Sequence, residues 1–332
     1  MNNKELGEDK MRIIITDCDH EKMFQEKEVF EKAGFAYEHL SCKEEDELIE
    51  QAKGGEIMLT QYGQFSRRVI TALKPELKQI IRYGVGVDTV DLEAATELGV
   101  QVCNVPDYGM NEVADQSISL MLALMRKVCF MDKYTKSKEW NYTPAIPIHR
   151  IPGSTIGLVG IGRIGRTFAK RLLGFDCRII AYDSAYKVGE VEDGIEIVDF
   201  DTLLKEADAI SIHCPLTEET QNLFNLETLK KMKTSAYLVN TARGGIINEA
   251  DLFTALKEKI IAGAALDVVE KEPMKVGAEL FELDNYIATP HIAWYSEESS
   301  LELKRKVAEE AVRFAKGEPI HYPVNHLQNE NG

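Results

Sequence analysis

Three side chains able to do acid–base and anion chemistry follow β-like runs in the second half of the chain. Arg243 follows Ala236–Asn240, Glu272 follows the run "AALDVVEKEP", and His291 follows "YIATP". In "LVNTARGGIINEAD" an arginine comes directly after a strand that reads as buried, ahead of two glycines and a fresh helix start. A guanidinium stays charged in a protein and is seldom buried without a partner, so Arg243 is expected to meet an anion. Histidine is the side chain nearest neutrality for proton transfer. A carboxylate beside an imidazole orients it and favours its protonated form. Arginine can fork onto a substrate carboxylate and polarise the carbonyl next to it. Together the three fit proton and hydride exchange at a 2-oxo acid. Each also has an ordinary reading: His291 as a strand-end histidine bound to backbone, Glu272 as part of a solvated acidic loop, Arg243 as a partner of Asp267. Their shared place at the carboxyl ends of parallel strands, where open α/β sheets bind ligands, favours the chemical reading.

The elements that must position them alternate short β-rich runs with helical periodicity. Arg12–Asp17, Glu56–Thr60, Leu77–Arg82 and Val100–Val105 read as one series of strands. Thr155–Gly160, Cys177–Asp183, Ala209–Cys214, Ala236–Asn240, Ile261–Val268 and Tyr286–Thr289 read as a second. One helix between successive strands means βαβ crossovers and parallel sheets covered on both faces, hence two doubly wound domains. Asn111–Lys127 reads as a helix buried on most sides, suited to a domain or subunit interface, and Trp140–Pro152 as a loop. Glu297–Lys316 opens acidic, closes basic and has Gly317 where a C-cap is expected. Lys43–Glu50 reads as a solvated helix.

"TIGLVGIGRIGRTFAKRLLGF" carries Gly160, Gly162 and Gly165 as G-x-G-x-x-G between a strand and a helix. Those glycines permit a tight turn, close backbone approach to a pyrophosphate and tight helix–strand packing, and the helix start offers amide donors. Ile164, Phe168 and Leu172 are expected to face the sheet. Asp183 ends the next strand, eighteen residues after Gly165, where an acidic residue accepts from ribose hydroxyls and repels a 2′-phosphate. Ser184, Ala185 and Tyr186 offer no cation to receive one, so NAD is favoured over NADP.

The net charge of −16 over 332 residues argues against nucleic acid or an anionic membrane as the main partner. The six cysteines are scattered without a C-x-x-C pair, most in apolar runs that suit reduced, buried thiols. The start "MNNKELGEDKMRIIITD" has no hydrophobic signal core, and the apolar run Ile118–Met125 is too short to span a bilayer, so the cytoplasm is the expected compartment.

With these residues in view, the chain resembles the NAD-dependent D-2-hydroxyacid dehydrogenases from about Arg12 to Asn325. The matching motifs, in order, are "RYGVGVDTVDL", "GLVGIGRIG", "HCPLTEET", "NTARGGIINEADL", "GAALDVVEKEP" and "TPHIAWYSEES". The resemblance implies a Rossmann NAD-binding domain, residues 109–296, inserted into a flavodoxin-like substrate domain, residues 1–108 and 297–332. It implies that Arg243 binds substrate, His291 is the acid/base and Glu272 its partner. Gly84, Val85 and Gly86 would give backbone amides to the substrate carboxylate. Val85, Gly160, Gly162, Arg163, Ile164, Gly165 and Asp183 would contact the cofactor. His213, Cys214, Pro215, Thr220, Thr241, Ala242 and Asp267 would line the same site, with Arg243, His291 and Trp294 facing both cofactor and substrate. No metal is implied, and a homodimer is. Gln61, Tyr62 and Tyr83 are candidate pocket side chains. "HIAWYSEESSLELKRKVAEE" most resembles the C-terminal-binding-protein branch of the family. The reading is therefore an enzyme, with an NAD(H)-sensing corepressor-like binding module as the alternative. A phosphoglycerate dehydrogenase is the weaker third, with no regulatory domain expected after Asn325.

The cofactor reading has a direct check. Asp183→Ala combined with Ser184→Arg should weaken NAD and improve NADP, through removed repulsion and an added phosphate partner. Equal use of NAD and NADP by the unmodified protein would remove Asp183 from the ribose.

Overall fold

A computed structural model describes residues 11–18 and 23–327. Residues 1–10, read above for a signal sequence, lie outside the described residues. The chain divides into two compact units, Met1–Gly109 with Ser296–Gly332, and Met110–Tyr295.

The first unit runs β1 (Ile13–Ile15), α1 (Phe24–Ala33), β2 (Tyr37–His39), α2 (Glu45–Gln51), β3 (Ile57–Thr60), α3 (Arg67–Leu73), β4 (Gln79–Arg82), α4 (Leu92–Glu97) and β5 (Gln101–Cys103). The strands pair in parallel in the order β2-β1-β3-β4-β5. β1 and β3, "III" and "IMLT", are buried along their whole length. Such runs suit the interior of a parallel sheet whose faces are both covered by helices. Asp17, just past β1, holds the turn after β3: its carboxylate accepts the Thr60 hydroxyl at 2.8 Å and the amides of Gln61 and Tyr62 at 3.2 and 2.7 Å.

The second unit runs α5 (Met110–Met125), α6 (Val128–Ser137), β6 (Thr155–Val159), α7 (Arg163–Leu172), β7 (Arg178–Tyr182), β8 (Val191–Glu192), β9 (Ile195–Ile197), α8 (Phe200–Glu206), β10 (Ala209–Ile212), α9 (Leu226–Leu229), β11 (Tyr237–Asn240), α10 (Glu249–Lys257), β12 (Gly263–Leu266) and β13 (Tyr286–Ala288). Its sheet order is β13-β12-β11-β10-β6-β7-β9-β8. All pairs are parallel except β8–β9 at the edge, a hairpin whose turn residues Asp193 and Gly194 both have positive φ.

Several sequence expectations need correction. β2 and the β8–β9 hairpin are absent from the strands read above. The helix expected over Asn111–Lys127 ends at Met125, and Lys127, at φ 53°, turns the chain into a second helix, α6. Ile118, Met121 and Leu124 of α5 are buried in the core of their own unit, packed with Ile156, Phe168 and Val239. The remaining residues of α5, among them Val113, Gln116, Leu122 and Ala123, are half-buried or exposed. On α7 the buried face is Gly165, Phe168, Ala169 and Leu172, with Ile164 only half-buried. Of the six cysteines only Cys42 and Cys103 are buried; Cys18, Cys177 and Cys214 are half-buried and Cys129 is exposed. Among the described residues no helix is long and apolar enough to cross a membrane.

The chain returns to the first unit through α11 (Glu297–Ala315), opened by a reciprocal Ser296–Ser299 capping box. Gly317 follows at φ 69°. Beyond it, Pro323 bridges Cys103, and Asn325 is buried against β5. The Asn325 side chain accepts from the Val102 amide at 2.7 Å and from Gln101 Nε2 at 2.9 Å, and donates to the Val100 carbonyl at 2.9 Å. Asn325→Ala strands these buried groups and should cost about 1–3 kcal/mol of stability. Chemical denaturation reads this as a lower midpoint at unchanged slope, and an unmoved midpoint would mean that the tail does not brace β5.

Candidate active site

Arg243 lies three residues past β11, in a turn clamped by the last residue of that strand. Asn240 accepts the Ala242 amide through Oδ1 at 2.9 Å and donates from Nδ2 to the Arg243 carbonyl at 2.9 Å. The Arg243 guanidinium donates to the Ala242 carbonyl at 2.7 Å. Gly244 follows because space demands it: a Cβ there would lie 1.9 Å from the Val269 carbonyl. The turn after β11 and the turn after β12 therefore touch, bringing Arg243 near the segment that carries Glu272.

Glu272 and His291 form a hydrogen-bonded pair across adjacent turns, with His291 Nδ1 2.6 Å from Glu272 Oε2 and both side chains about one-third exposed. Glu272 also accepts the Val269 amide at 3.2 Å. Burial works to raise the Glu272 carboxyl, but the His291 hydrogen bond and charge, the Val269 amide and the Arg243 charge outweigh it, and the group sits below the ordinary carboxylate range. Glu270 is exposed, as expected of this acidic loop, and its carboxylate accepts the Glu249 amide at 2.9 Å at the start of α10.

His291 has φ 54°, an uncommon conformation for a residue with a side chain. Asp267, buried at the end of β12, holds it there. Its carbonyl accepts the His291 amide at 2.8 Å, and its carboxylate accepts the amides of Ile292 at 3.1 Å and Ala293 at 2.9 Å together with the Thr289 hydroxyl. Asp267, expected at the cofactor site, thus uses its carboxylate to bind the turn that carries His291. Neither this brace nor the Asn240 clamp was foreseen. An Asx residue at the end of each strand was the available signal.

At the other bend of the sheet, Gly160 ends β6 at φ 91°. A Cβ at Gly165 would lie 2.3 Å from the Gly160 carbonyl, whereas one at Gly162 would meet nothing within 4 Å. Helix and strand are thus packed against each other, while the Gly162 side opens outward at the amino end of α7, beside exposed Arg163. That open cradle at a helix start fits a pyrophosphate. Asp183 ties into it: Oδ2 accepts the Ile161 amide at 2.8 Å and Oδ1 the Ala185 amide at 2.9 Å. Each oxygen keeps a further lone pair for a ribose hydroxyl. His213 packs 5.0 Å from the Phe168 ring, meets Ser211 Oγ at 2.9 Å through Nε2, and leaves Nδ1 enclosed without a partner among the described residues. Burial pushes its pKa down to about 3, so the ring is neutral. Burial also pushes the Cys214 thiol up to about 11. Thr220 closes the turn after His213 by donating to the Pro215 carbonyl at 2.7 Å. Thr241 is buried against Ser117, their hydroxyls 2.7 Å apart.

Two expected features remain. Trp294 is half-buried, its ring edge-on to Tyr295 with centroids 5.5 Å apart. Gly84–Val85–Gly86 follow β4 at the carboxyl end of the first unit's sheet. Of the candidate pocket side chains there, Tyr83 is excluded: it is buried, and its hydroxyl donates to the buried Glu26 at 3.2 Å. Gln61 is also buried and donates to the Tyr62 hydroxyl at 3.2 Å. No group of acidic, cysteine or histidine side chains among the described residues could hold a metal ion.

Residues 118–293 match the family model described as the D-isomer specific 2-hydroxyacid dehydrogenase, NAD binding domain. The chain is 40% identical over 278 residues to a glyoxylate reductase from Thermococcus litoralis, a match covering 82% of this chain and 84% of that protein. It is 37% identical over 317 residues to a D-3-phosphoglycerate dehydrogenase from Archaeoglobus fulgidus, which covers 95% of this chain but 59% of that protein's length. Among solved structures, the NAD-dependent formate dehydrogenase from Staphylococcus aureus in complex with NAD superposes with a TM-score of 0.84 at 28% identity, over 96% of this chain and all of that one. Glycine loop, strand-end acid and matched domain agree, and the chain belongs to the D-isomer specific 2-hydroxyacid dehydrogenase family.

Proposed function

We propose that the protein is an NAD-dependent dehydrogenase interconverting a 2-oxo acid and its D-2-hydroxy acid, and the 2.6 Å His291–Glu272 pair beside Arg243 is the observation that carries the reading. Bound NAD supplies the hydride chemistry; the glycine loop, Asp183 and the neighbouring turns would hold it. Because Nδ1 is occupied by Glu272, Nε2 of His291 is the nitrogen that gives a proton to the carbonyl oxygen in reduction and takes it back in oxidation. Glu272 keeps the ring aligned and offsets its positive charge. Arg243 takes the substrate carboxylate and polarises the carbonyl. The amides of Val85 and Gly86 are assigned to a substrate carboxylate.

We further propose a homodimer, supported by apolar surface on the second unit. α6 has no buried residue, and Trp140, Tyr142 and Ile146 in the segment after it are 95%, 76% and 61% exposed. Ile146 lines a groove together with Leu124, Phe130, Pro144 and Pro147. An apolar surface of this kind suits a second copy. The exposed free thiol of Cys129 supports a reducing, cytoplasmic setting.

His291→Ala should lower the chemical rate roughly 10²–10⁴-fold while leaving NADH affinity nearly intact. With its carboxyl below the ordinary range, Glu272 stays charged on acidification until the pH falls through that lowered value, and the pair persists above it. Glu272→Gln removes the counter-charge that favours a protonated ring, so the alkaline limb of the rate profile for 2-oxo acid reduction should move to lower pH. An unmoved limb would take Glu272 out of the proton transfer.

Trp294, three residues past His291, is assigned to the substrate's tail. An indole offers a flat apolar wall, one donor and no positive charge. Tails that are apolar or contain a thioether should therefore be favoured over phosphate, by ~1 kcal/mol or more per packed methylene. The check compares kcat/KM for glyoxylate, pyruvate, 2-oxo-4-methylthiobutanoate and 3-phosphohydroxypyruvate in wild type and Trp294→Ala. An unchanged ranking with only lower thermal stability would make Trp294 a structural residue. A wild-type preference for 3-phosphohydroxypyruvate would favour the phosphoglycerate dehydrogenase reading, which the match over 95% of the chain supports. No turnover with any of the four would favour the corepressor-like alternative.

A further inference from the structure

The turn after β4 has an ordered pair of carbonyls. The Gly84 carbonyl accepts the Val105 amide at 2.9 Å, and the Val85 carbonyl accepts Asn104 Nδ2 at 2.6 Å. Both acceptors are thus drawn toward the two residues after β5. Neither peptide is cis, and in a trans peptide the N–H points opposite to the C=O. The N–H groups of Val85 and Gly86 consequently face away from β5, side by side, and neither donates to a protein group among the described residues. Successive amides aimed one way form a concave site for an anion. The turn needs Gly84 to do this: its φ is 135°, a conformation that side-chain-bearing residues rarely adopt.

We propose that Asn104 is a positioning residue for the substrate carboxylate, acting through the Val85 carbonyl to aim the Gly86 N–H; this rests on the assignment of the Gly84–Gly86 turn to that carboxylate. The orientation of the Asn104 amide follows from chemistry, since a carbonyl can only accept. Asn104 is itself held from the far end of the chain. Its own amide donates to the Tyr322 carbonyl at 3.3 Å, and the Tyr322 amide donates to Glu310, fully buried on α11, at 2.8 Å. A plain turn-stabilising residue would affect every ligand alike, whereas a carboxylate-positioning residue affects only ligands that carry one.

The test uses the NADH-loaded protein and two probes of nearly equal shape, oxamate and its methyl ester, with affinities read by calorimetry. Wild type should bind oxamate at least tenfold more tightly than the ester. In Asn104→Ala the oxamate Kd should rise about tenfold, the worth of one hydrogen bond, with ester and NADH affinities unchanged. Asn104→Asp, the same shape, sets a carboxylate against the Val85 carbonyl and should lose at least as much; it carries the comparison if the alanine variant does not fold. Oxamate affinity kept within twofold in both variants, or an equal loss for both probes, overturns the role of Asn104 while the carboxylate reading stands. Wild type that does not discriminate oxamate from the ester instead overturns the carboxylate reading itself.

Discussion

The buried carboxylate of Asp267 is the constraint on which the site depends. It sits at the end of β12 yet serves the turn after β13, taking two consecutive amides and a hydroxyl while its own carbonyl takes the His291 amide. An ionised acceptor bonded to backbone N–H groups makes stronger hydrogen bonds than a neutral pair. That strength offsets the cost of keeping His291 in a left-handed conformation. Without it the imidazole would have no fixed direction, and the pair with Glu272 would be one rotamer among several.

The same device recurs along both sheets. Asp183 at the end of β7 holds the glycine turn after β6, Asn240 holds the turn after its own strand β11, and Asp17 past β1 holds the turn after β3. Carboxyl ends of parallel strands leave amides without ladder partners, and a short acceptor at a strand end is well placed to take them. Stable βαβ cores thus present turns that are irregular in backbone but held firmly. The protein carries net charge −16, so any anion it binds depends on local donors such as these turns and Arg243.

Much of this was legible in the sequence. Continuous apolar runs such as "III" and "IMLT" are strands buried on both faces, and G-x-G-x-x-G followed by Asp183 marked the nucleotide turn. β2 was not legible: Tyr37–His39 is an edge strand with none of its three residues buried, so it lacks an apolar signature. The β8–β9 hairpin had a signal in Asp193–Gly194, a dipeptide that favours tight hairpin turns, but its strands are only two and three residues long. α6 escaped notice because its lysines and aspartate hide a face that its own unit leaves uncovered. Arg243, Glu272 and His291 were legible as residue types at strand ends. The bracing of His291 was not, because it depends on a backbone angle that no residue type announces.

The return of the chain after the second unit sets an order of events. α11 and the segment through Asn325 belong to the first unit, where Asn325 satisfies the edge of β5 and Tyr322 reaches Asn104. A ribosome releases these residues only after all of the second unit has emerged. The second unit is contiguous and can form its core while synthesis continues; the first must wait with β5 uncapped and the partners of α11 uncovered. During that interval an apolar helix seat and an open sheet edge are exposed together. The protein's most vulnerable moment in the cell is therefore the gap between finishing its middle and finishing its end.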